Sequence, residues 1–355
     1  MDYVLDSAAE VPGPLRGEAA WSAAELVERP EWTHRLERAE RDELLSLLDR
    51  SVDPSAESGQ GAGAVERRTA ADLPLPVLAP RLAVMQRQLE HGAGAVRLHG
   101  FPIEGLDEAQ ARLLYWAMAL QMGTPVSQSP RGERIFSVRD AGFGNDDPRS
   151  RGPNTTKRLT FHTDRADVVG FLCLEQAREG GENEIASSTA VYNEVLTRRP
   201  DLLRALMEPF YYLRHSVDTA NARPWCRQPV FSFREGWFAC CLLRVLIERA
   251  HKQADLPDLT PRQVEALDLV ESIAASDARC VRFRQQPGDL IWLNNWLILH
   301  KRQAFTDWPE PARKRHILRL WLSMPNSRPL DPLFADNYGA VEAGAIRGGM
   351  RSAGG

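Results

Sequence analysis

The chain has 355 residues, of which 43% are hydrophobic and 26% are charged, and its formal net charge is −4. This composition is that of an ordinary globular protein, and without a long basic run it argues against nucleic acid as a partner. The first residues lack a basic start followed by an apolar core, no window approaches the roughly 18 apolar residues of a membrane span, and the five cysteines form no CxxC pair. We therefore expect a cytoplasmic protein with reduced thiols that acts neither on nucleic acid nor in a membrane.

The amino-terminal third combines amphipathic helices with polar loops. Leucines at helical spacing amid dense charge predict surface helix, and small polar and Gly-rich segments predict loops. The predicted elements are helix within 1–50, a loop at 53–66, a helix at about 80–91, a strand at 95–98, and a helix that begins after Asp107 and ends near Gly123.

A long polar segment, residues 140–157, separates this third from the rest of the chain. A polar segment of this length is typical of a lid, a binding loop or a disordered loop, and its position directly before His162 is compatible with a lid that covers the site. The elements predicted around and beyond it are strands at 135–138, 159–161, 168–174, 281–283, 290–293, 296–299 and 315–324 and helices at about 189–197, 200–207, 236–254 and 260–276.

Strands on both sides of a helical segment predict one β-rich core decorated by helices. We expect a helical extension at 1–94, a core domain at 95–325 with a helical insertion at about 189–276, and a tail at 326–355. The tail is rich in Gly and Ala from Asp336 onward, which predicts extended or mobile chain.

One histidine stands out among the eight in the chain. Only His162 is followed two residues later by a carboxylate, that of Asp164, and the apolar, β-branched residues before it suit a strand. Residues i and i+2 of a strand share a face, so the imidazole and the carboxylate are expected to point into one space. Together they form half of a metal site.

Further candidates lie near the end of the chain, where His300 ends an apolar strand and is followed by two basic residues. Residues 315–322 read as a central strand with Arg315 and Arg319 on one face. Two guanidinium groups there are costly to desolvate unless anions meet them. Internal salt bridges and a pocket for a carboxylate-bearing small molecule both satisfy this requirement.

Two histidines and one carboxylate leave positions of an octahedral metal open, which suits non-haem Fe(II). Zinc hydrolases can use the same ligand types, although the sequence has no HExxH. It also has no GxSxG, no Walker A motif and no strand-linked GxGxxG, so serine-hydrolase, P-loop and Rossmann functions lack support.

Four segments in order, FHTD at 161–164, GGEN at 180–183, NNWLILH ending at His300, and RHILRLWL at 315–322, resemble the taurine dioxygenase-like (TauD/TfdA) family of Fe(II)/2-oxoglutarate oxygenases. The resemblance spans roughly residues 95–325. It implies a mainly β fold with helical insertions, a double-stranded β-helix (jelly-roll) core flanked by α-helices.

The same resemblance implies roles for individual residues. His162, Asp164 and His300 would be the iron ligands. Arg315 would hold the distal carboxylate of 2-oxoglutarate, and Arg319 would lie near its metal-bound end and touch an anionic substrate. Asn183 stands where some members have a threonine that contacts 2-oxoglutarate. The residues expected near the mouth of the site, where they could contact substrate, are Gln128, Arg139, Asn154, Arg158, Arg165 and Asp167.

The implied reaction uses Fe(II), 2-oxoglutarate and O2 and oxidises a C–H bond of a small molecule such as an amino acid or a natural-product intermediate, with succinate and CO2 as co-products. Asp164 is retained, which favours hydroxylation or desaturation over halogenation. Two other functions remain open: a non-catalytic jelly-roll protein that acts as a sensor or scaffold, and a zinc hydrolase.

Overall fold

The structure is a computed structural model that describes residues 11–50, 65–129, 131–142, 152–214, 218 and 221–350. Half of the segment predicted at 140–157, residues 143–151, lies outside the described residues, as does most of the loop predicted at 53–66.

The chain up to Met122 is mainly helical, and most of the strands follow it. The helices are α1 (Ala23–Glu28), α2 (Arg38–Arg50), α3 (Ala79–His91), α4 (Glu108–Met122), α5 (Ser188–Arg198), α6 (Pro200–Met207), α7 (Arg244–Ala250), α8 (Pro261–Ala275) and α9 (Ala335–Tyr338). The strands are β1 (Thr33–Arg35), β2 (Ala95–His99), β3 (Thr124–Pro125), β4 (Ile135–Val138), β5 (Val168–Glu175), β6 (Glu179–Gly180), β7 (Asn183–Ser187), β8 (Phe210–Leu213), β9 (Trp225–Gln228), β10 (Phe231–Arg234), β11 (Trp237–Cys240), β12 (Val281–Phe283), β13 (Leu290–Asn294), β14 (Ile298–Arg302), β15 (Phe305–Thr306) and β16 (His316–Ser323).

Two sheets form the core. The larger has the order β1-β2-β13-β5-β16-β3, with β4 also paired to β16, and the smaller has the order β12-β7-β14. Apart from the parallel pair β1–β2, the strands of both sheets are antiparallel. Side chains from both sheets, among them Leu293 and Leu299, meet in one hydrophobic cluster. The predicted fold class is confirmed: a mainly β jelly roll with helical insertions.

Side-chain alternation along the central strands explains how one sheet serves both a core and a cavity. On β16, Leu318, Leu320 and Leu322 pack in a second hydrophobic cluster with residues of α3 and α4. The intervening Arg319 and Trp321 face a cavity on the other side. The strand is buried along its whole length, as its sequence predicts.

Gly170 allows close aromatic packing in the larger sheet. A Cβ atom there would lie 2.3 Å from the ring of Trp292 and 2.4 Å from the hydroxyl of Tyr115. Real Cβ atoms do not come this close to other heavy atoms, so these two aromatic side chains can pack over β5 only because the residue is glycine.

The helix predicted at 236–254 is wrong in its first part and correct over Arg244–Ala250. Residues 237–240 form β11, which pairs with β10 in a hairpin, and the helix α7 begins only at Arg244. Glu235 and Gly236 both have positive φ, the conformation that a tight hairpin turn requires. A second hairpin, β8–β9, lies in the same predicted helical insertion. The helical extension predicted at 1–94 also contains a strand, β1, which adds to the larger sheet.

The division at residues 94 and 325 stays a prediction. Composition predicts extended or mobile chain from Asp336 onward, and residues 339–350 indeed have no helix or strand, but they are anchored to the core. Arg347 is fully buried, and its Nε donates to Asp167 Oδ1 at 2.7 Å. Its Nη2 donates to the carbonyl of Arg328 at 2.7 Å. Asp167 also accepts from the indole of Trp296 at 2.9 Å. A buried, fully bonded ion pair therefore fastens the tail to the core.

Replacing Arg347 with methionine is expected to lower the free energy of unfolding by about 3–5 kcal/mol, because Asp167 would keep a buried charge without its counter-ion. Urea denaturation measures the loss. Arg38→Ala is the matched control, since it breaks an exposed ion pair with Asp42, typically worth less than about 1 kcal/mol. Equal losses for the two variants would mean that the buried pair contributes no more than a surface one.

No helix in the described ranges is long and apolar enough to cross a membrane.

Candidate active site

His162, Asp164 and His300 come together at one cavity. Their potential ligand atoms all lie within 4.8 Å of one another. The backbones of His162 and His300 exchange two hydrogen bonds of 3.0 Å, so the pairing itself sets the imidazoles side by side, with ring centroids 4.4 Å apart. The strand predicted at 159–161 is wrong: His162 forms only isolated bridges, to His300 and Leu243.

Backbone and amide groups orient the two members of the HxD motif. His162 Nδ1 lies 2.9 Å from the carbonyl of Thr160 and donates to it, which leaves Nε2 free to bind a metal. The amide nitrogen of Asp164 donates to Asn295 Oδ1 at 2.9 Å, and Asn295 Nδ2 donates to the carbonyl of Ala166 at 3.0 Å. Asn295 therefore fixes the turn that aims the carboxylate.

The charge states of His162 and Asp164 suit a divalent metal. Burial and the neighbouring His300 lower the pKa of His162 to about 4, so its ring is neutral at pH 7. Burial alone would raise the pKa of Asp164, but Arg319 and the two imidazoles hold it below its usual value, so the carboxylate is ionised. Neutral imidazoles and a carboxylate are the forms that bind metal.

Unsatisfied atoms provide a direct test of whether a metal fits here. Asp164 Oδ2 and both ring nitrogens of His300 are buried without a hydrogen-bond partner among the described residues. His300 Nε2 lies 3.7 Å from Asp164 Oδ2. Buried polar atoms are normally hydrogen-bonded. Unpaired polar atoms that converge on one point are therefore expected where a metal ion binds them. The residues fit a 2-His-1-carboxylate iron centre.

The three residues open onto a cavity of about 580 Å³, which Arg315 also lines. Arg315 is buried, and its Nε and Nη1 atoms have no partner within the described part of the chain. Burial lowers the pKa of its guanidinium to about 10, which leaves it protonated at neutral pH. Internal salt bridges therefore do not account for this arginine, which is free to bind an anionic ligand.

Arg319, in contrast, is held by the protein. Its Nε donates to Gln128 Oε1 at 2.6 Å and its Nη1 lies 3.5 Å from Asp164 Oδ1. Gln128 is fully buried, lies outside the cavity lining, and donates to the carbonyls of Arg134 and Arg319. The structure thus does not bring Gln128 to a substrate; the side chain positions Arg319, which in turn steadies Asp164.

The other expected contacts divide into two groups. Arg158, Arg165 and Asn183 line the cavity. Arg165 pairs with Asp218, and Asn183 donates to Gln285 Oε1 at 3.0 Å. The residues that do not line it are Arg139, Asn154 and Asp167, the last of which is the buried partner of Arg347.

Comparison with known proteins decides the family. Residues 55–321 match the model of the taurine catabolism dioxygenase TauD, TfdA family. The chain belongs to this family. It is 29% identical to FR-33289 synthase of Streptomyces rubellomurinus (strain ATCC 31215) over 94% of this chain and 97% of that protein.

Two solved structures share the fold of this TauD/TfdA-family protein. Asparagine oxygenase in complex with Fe(II), 2S,3S-3-hydroxyasparagine and succinate superposes with a TM-score of 0.62 and 21% identity, over 82% of this chain and 94% of that one. The non-heme iron oxygenase OrfP with Fe, succinate and (3S)-hydroxy-L-Arg gives a TM-score of 0.59 and 15% identity, over 82% and 94%.

Membership of the TauD/TfdA family makes the protein an Fe(II)/2-oxoglutarate-dependent oxygenase. It uses Fe(II), 2-oxoglutarate and O2 and oxidises a C–H bond of a small molecule, with succinate and CO2 as co-products. The zinc-hydrolase and non-catalytic alternatives are thereby set aside.

Sequence reasoning missed several residues that line the cavity of this oxygenase. Arg302 lies next to Arg315, and burial together with that second guanidinium lowers its pKa to about 9. Arg302 follows His300 by two positions, and this spacing could have identified it as a residue that lines the cavity. Trp321 also faces the cavity with an indole nitrogen that has no partner among the residues described. Cys241 and Tyr338 line it too, and no local pattern marks either one.

Proposed function

We propose that His162, Asp164 and His300 bind the iron and that the enzyme hydroxylates an amino acid or a natural-product intermediate. One observation carries the proposal: three ligand atoms converge at a cavity that also contains the buried, unpaired guanidinium of Arg315. FR-33289 synthase, which matches nearly the whole chain, and the hydroxylated amino acids named in the asparagine oxygenase and OrfP structures support this substrate class.

In this proposal Arg315 binds the distal carboxylate of 2-oxoglutarate through a two-point contact, and Asn183 lies beside the same co-substrate. Fe(II), with 2-oxoglutarate and oxygen, supplies the oxidising power that attacks a C–H bond. The protein holds the reacting groups in place. Asn295 and the Gln128–Arg319 pair keep Asp164 oriented, and Arg158 and Arg165 contact the substrate.

The proposal predicts a product heavier by one oxygen atom. The purified enzyme is incubated aerobically with Fe(II), ascorbate and 2-oxoglutarate and, in turn, the precursor of FR-33289, L-asparagine and L-arginine, and products and succinate are measured by mass spectrometry. We expect one compound to gain oxygen in step with succinate formation. A product that has instead lost two hydrogens would identify a desaturase. Metal-dependent conversion that does not need 2-oxoglutarate would contradict the proposal.

A further inference from the structure

The carboxy-terminal segment, residues 337–350, reaches the cavity although the family match ends at residue 321. Asn337, Tyr338 and Met350 all line the cavity that His162, Asp164 and His300 open onto. This segment is the part of the chain for which composition predicts mobility. Its contribution to the cavity is independent of the residues that define the family.

The segment is hydrogen-bonded to the residue that follows Asp164. The amide nitrogen of Gly349 donates to the carbonyl of Arg165 at 2.8 Å, next to Asp164. Gly348 has a φ of +84°, and a Cβ on it would lie 2.6 Å from that same carbonyl oxygen. Arg347, bonded to Asp167, fixes the register. The tail therefore has one defined position against the HxD segment.

Tyr338 connects the tail to Cys241 and Trp296 of the core. Its hydroxyl lies 3.5 Å from Cys241 Sγ, and its ring packs on Trp296 with centroids 4.9 Å apart. Cys241 Sγ also accepts from Gln228 Nε2 at 3.0 Å and lies 3.8 Å from Thr163 Oγ1. Thr163 is the residue between His162 and Asp164 in the HxD motif. Burial raises the pKa of Tyr338 well above its usual value, so the hydroxyl stays protonated and able to donate.

Asn337 extends this polar surface. Its Nδ2 donates to Gln228 Oε1 at 3.1 Å, and its Oδ1 accepts from Arg214 Nη1 at 3.3 Å. Arg165 contributes a further donor, because its buried Nε has no partner in the part of the chain that the structure describes. Arg165 Nη1 pairs with Asp218 and the Tyr338 hydroxyl lies beside Cys241, so the wall offers Arg165 Nε and this hydroxyl as hydrogen-bonding groups to whatever occupies the cavity.

We infer that the segment 337–350 forms the substrate-selecting wall of the active site, with Tyr338 as a specificity-determining residue and with Arg165 Nε beside it as a second hydrogen-bond donor to the substrate. The inference rests on the proposed iron site, since the wall selects a substrate only if oxidation occurs next to it. A purely structural tail would contribute stability and leave substrate choice unchanged.

The test compares Tyr338→Phe and Tyr338→Ala with Val341→Ala. Val341 packs beside the same aromatic cluster of the tail but does not line the cavity, so its variant controls for loosening of the tail. Each protein receives Fe(II), 2-oxoglutarate and, separately, the precursor of FR-33289, L-asparagine, L-arginine and taurine. Product and succinate are measured, and anaerobic binding of Fe(II) and 2-oxoglutarate is measured beside them.

We expect Tyr338→Phe to raise the KM of the accepted compound about tenfold, the effect of losing one buried hydrogen bond, while Fe(II) and 2-oxoglutarate bind as in the wild type. Tyr338→Ala should also form succinate without matching product, and Val341→Ala should behave as the wild type.

Two results would distinguish a failure of the proposed function from a failure of this inference. A wild type that forms no iron-dependent succinate contradicts the proposed function. A wild type that forms succinate, but whose response to all four compounds matches that of Tyr338→Ala, contradicts this inference alone. A similar change in Val341→Ala would also overturn it, because the effect would then follow tail packing and not the hydroxyl in the cavity.

Discussion

Asp164→Ala is expected to abolish oxidation and to weaken iron binding. The carboxylate is the anionic member of the triad, and Oδ2 has no other partner among the described residues. Removing a group that merely orients a metal ligand typically costs about 10–100-fold in affinity or activity, so removing the ligand itself should exceed that range. Iron bound per chain, measured after anaerobic loading and desalting, and succinate formation give the result.

Glu90→Gln is the matched control for this experiment. Glu90 is another buried carboxylate paired with an arginine, 2.7 Å from Arg328, but it lies away from the triad. Its variant should melt at a lower temperature and still bind iron in the folded fraction. If Asp164→Ala turned over normally, or if both variants lost iron equally, Asp164 would not be a ligand.

The residues of the site were predictable because they sit in short-range patterns. Asp164 follows His162 by two positions, and Arg315 and Arg319 lie on one face of a strand with period two. The structure places all four at one cavity. The local reason given for the HxD pair was nevertheless wrong, since a bridge to His300, not a regular strand, aligns His162.

Long-range partners account for what the sequence could not indicate. Gln128 meets Arg319 across 191 positions, and Asp167 meets Arg347 across 180. Nothing in the local composition around Arg347 distinguishes it from an exposed arginine in a Gly/Ala-rich tail. The buried ion pair of Arg347 with Asp167 and the packing of Tyr338 on Trp296 both tie that segment to the core, where Tyr338 lines the cavity.

The hairpins of the insertion show a second reason why part of the fold could not be predicted from the sequence. Residues 236–254 carry enough apolar side chains for a helix, and their aromatic members could be buried in either structure. The positive φ values of Glu235 and Gly236 turn the chain back on itself, and Phe238 then packs on Phe231 and Tyr192. Tertiary packing of aromatic rings overrides the local preference.

Arg315→Ala is expected to raise the 2-oxoglutarate concentration needed for half-saturation by roughly 30- to 5,000-fold, since truncating a buried charged contact costs roughly 2–5 kcal/mol. Arg315→Lys should recover part of the loss, because it keeps the charge but not the two-point geometry. Arg313→Ala removes a half-exposed arginine from the same segment and should leave 2-oxoglutarate binding unchanged.

Thermal unfolding of Arg315→Ala provides an independent check of the role of Arg315. Without 2-oxoglutarate, Arg315 is a buried cation whose Nε and Nη1 lack partners in the described chain, so Arg315→Ala should unfold at the same temperature as the wild type or a higher one. Added 2-oxoglutarate should then stabilise the wild type and Arg313→Ala but not Arg315→Ala, because only a ligand that binds the folded state raises its melting temperature. Full stabilisation of Arg315→Ala by 2-oxoglutarate would assign the distal carboxylate to another cation, and the neighbouring Arg302 would be the next to replace.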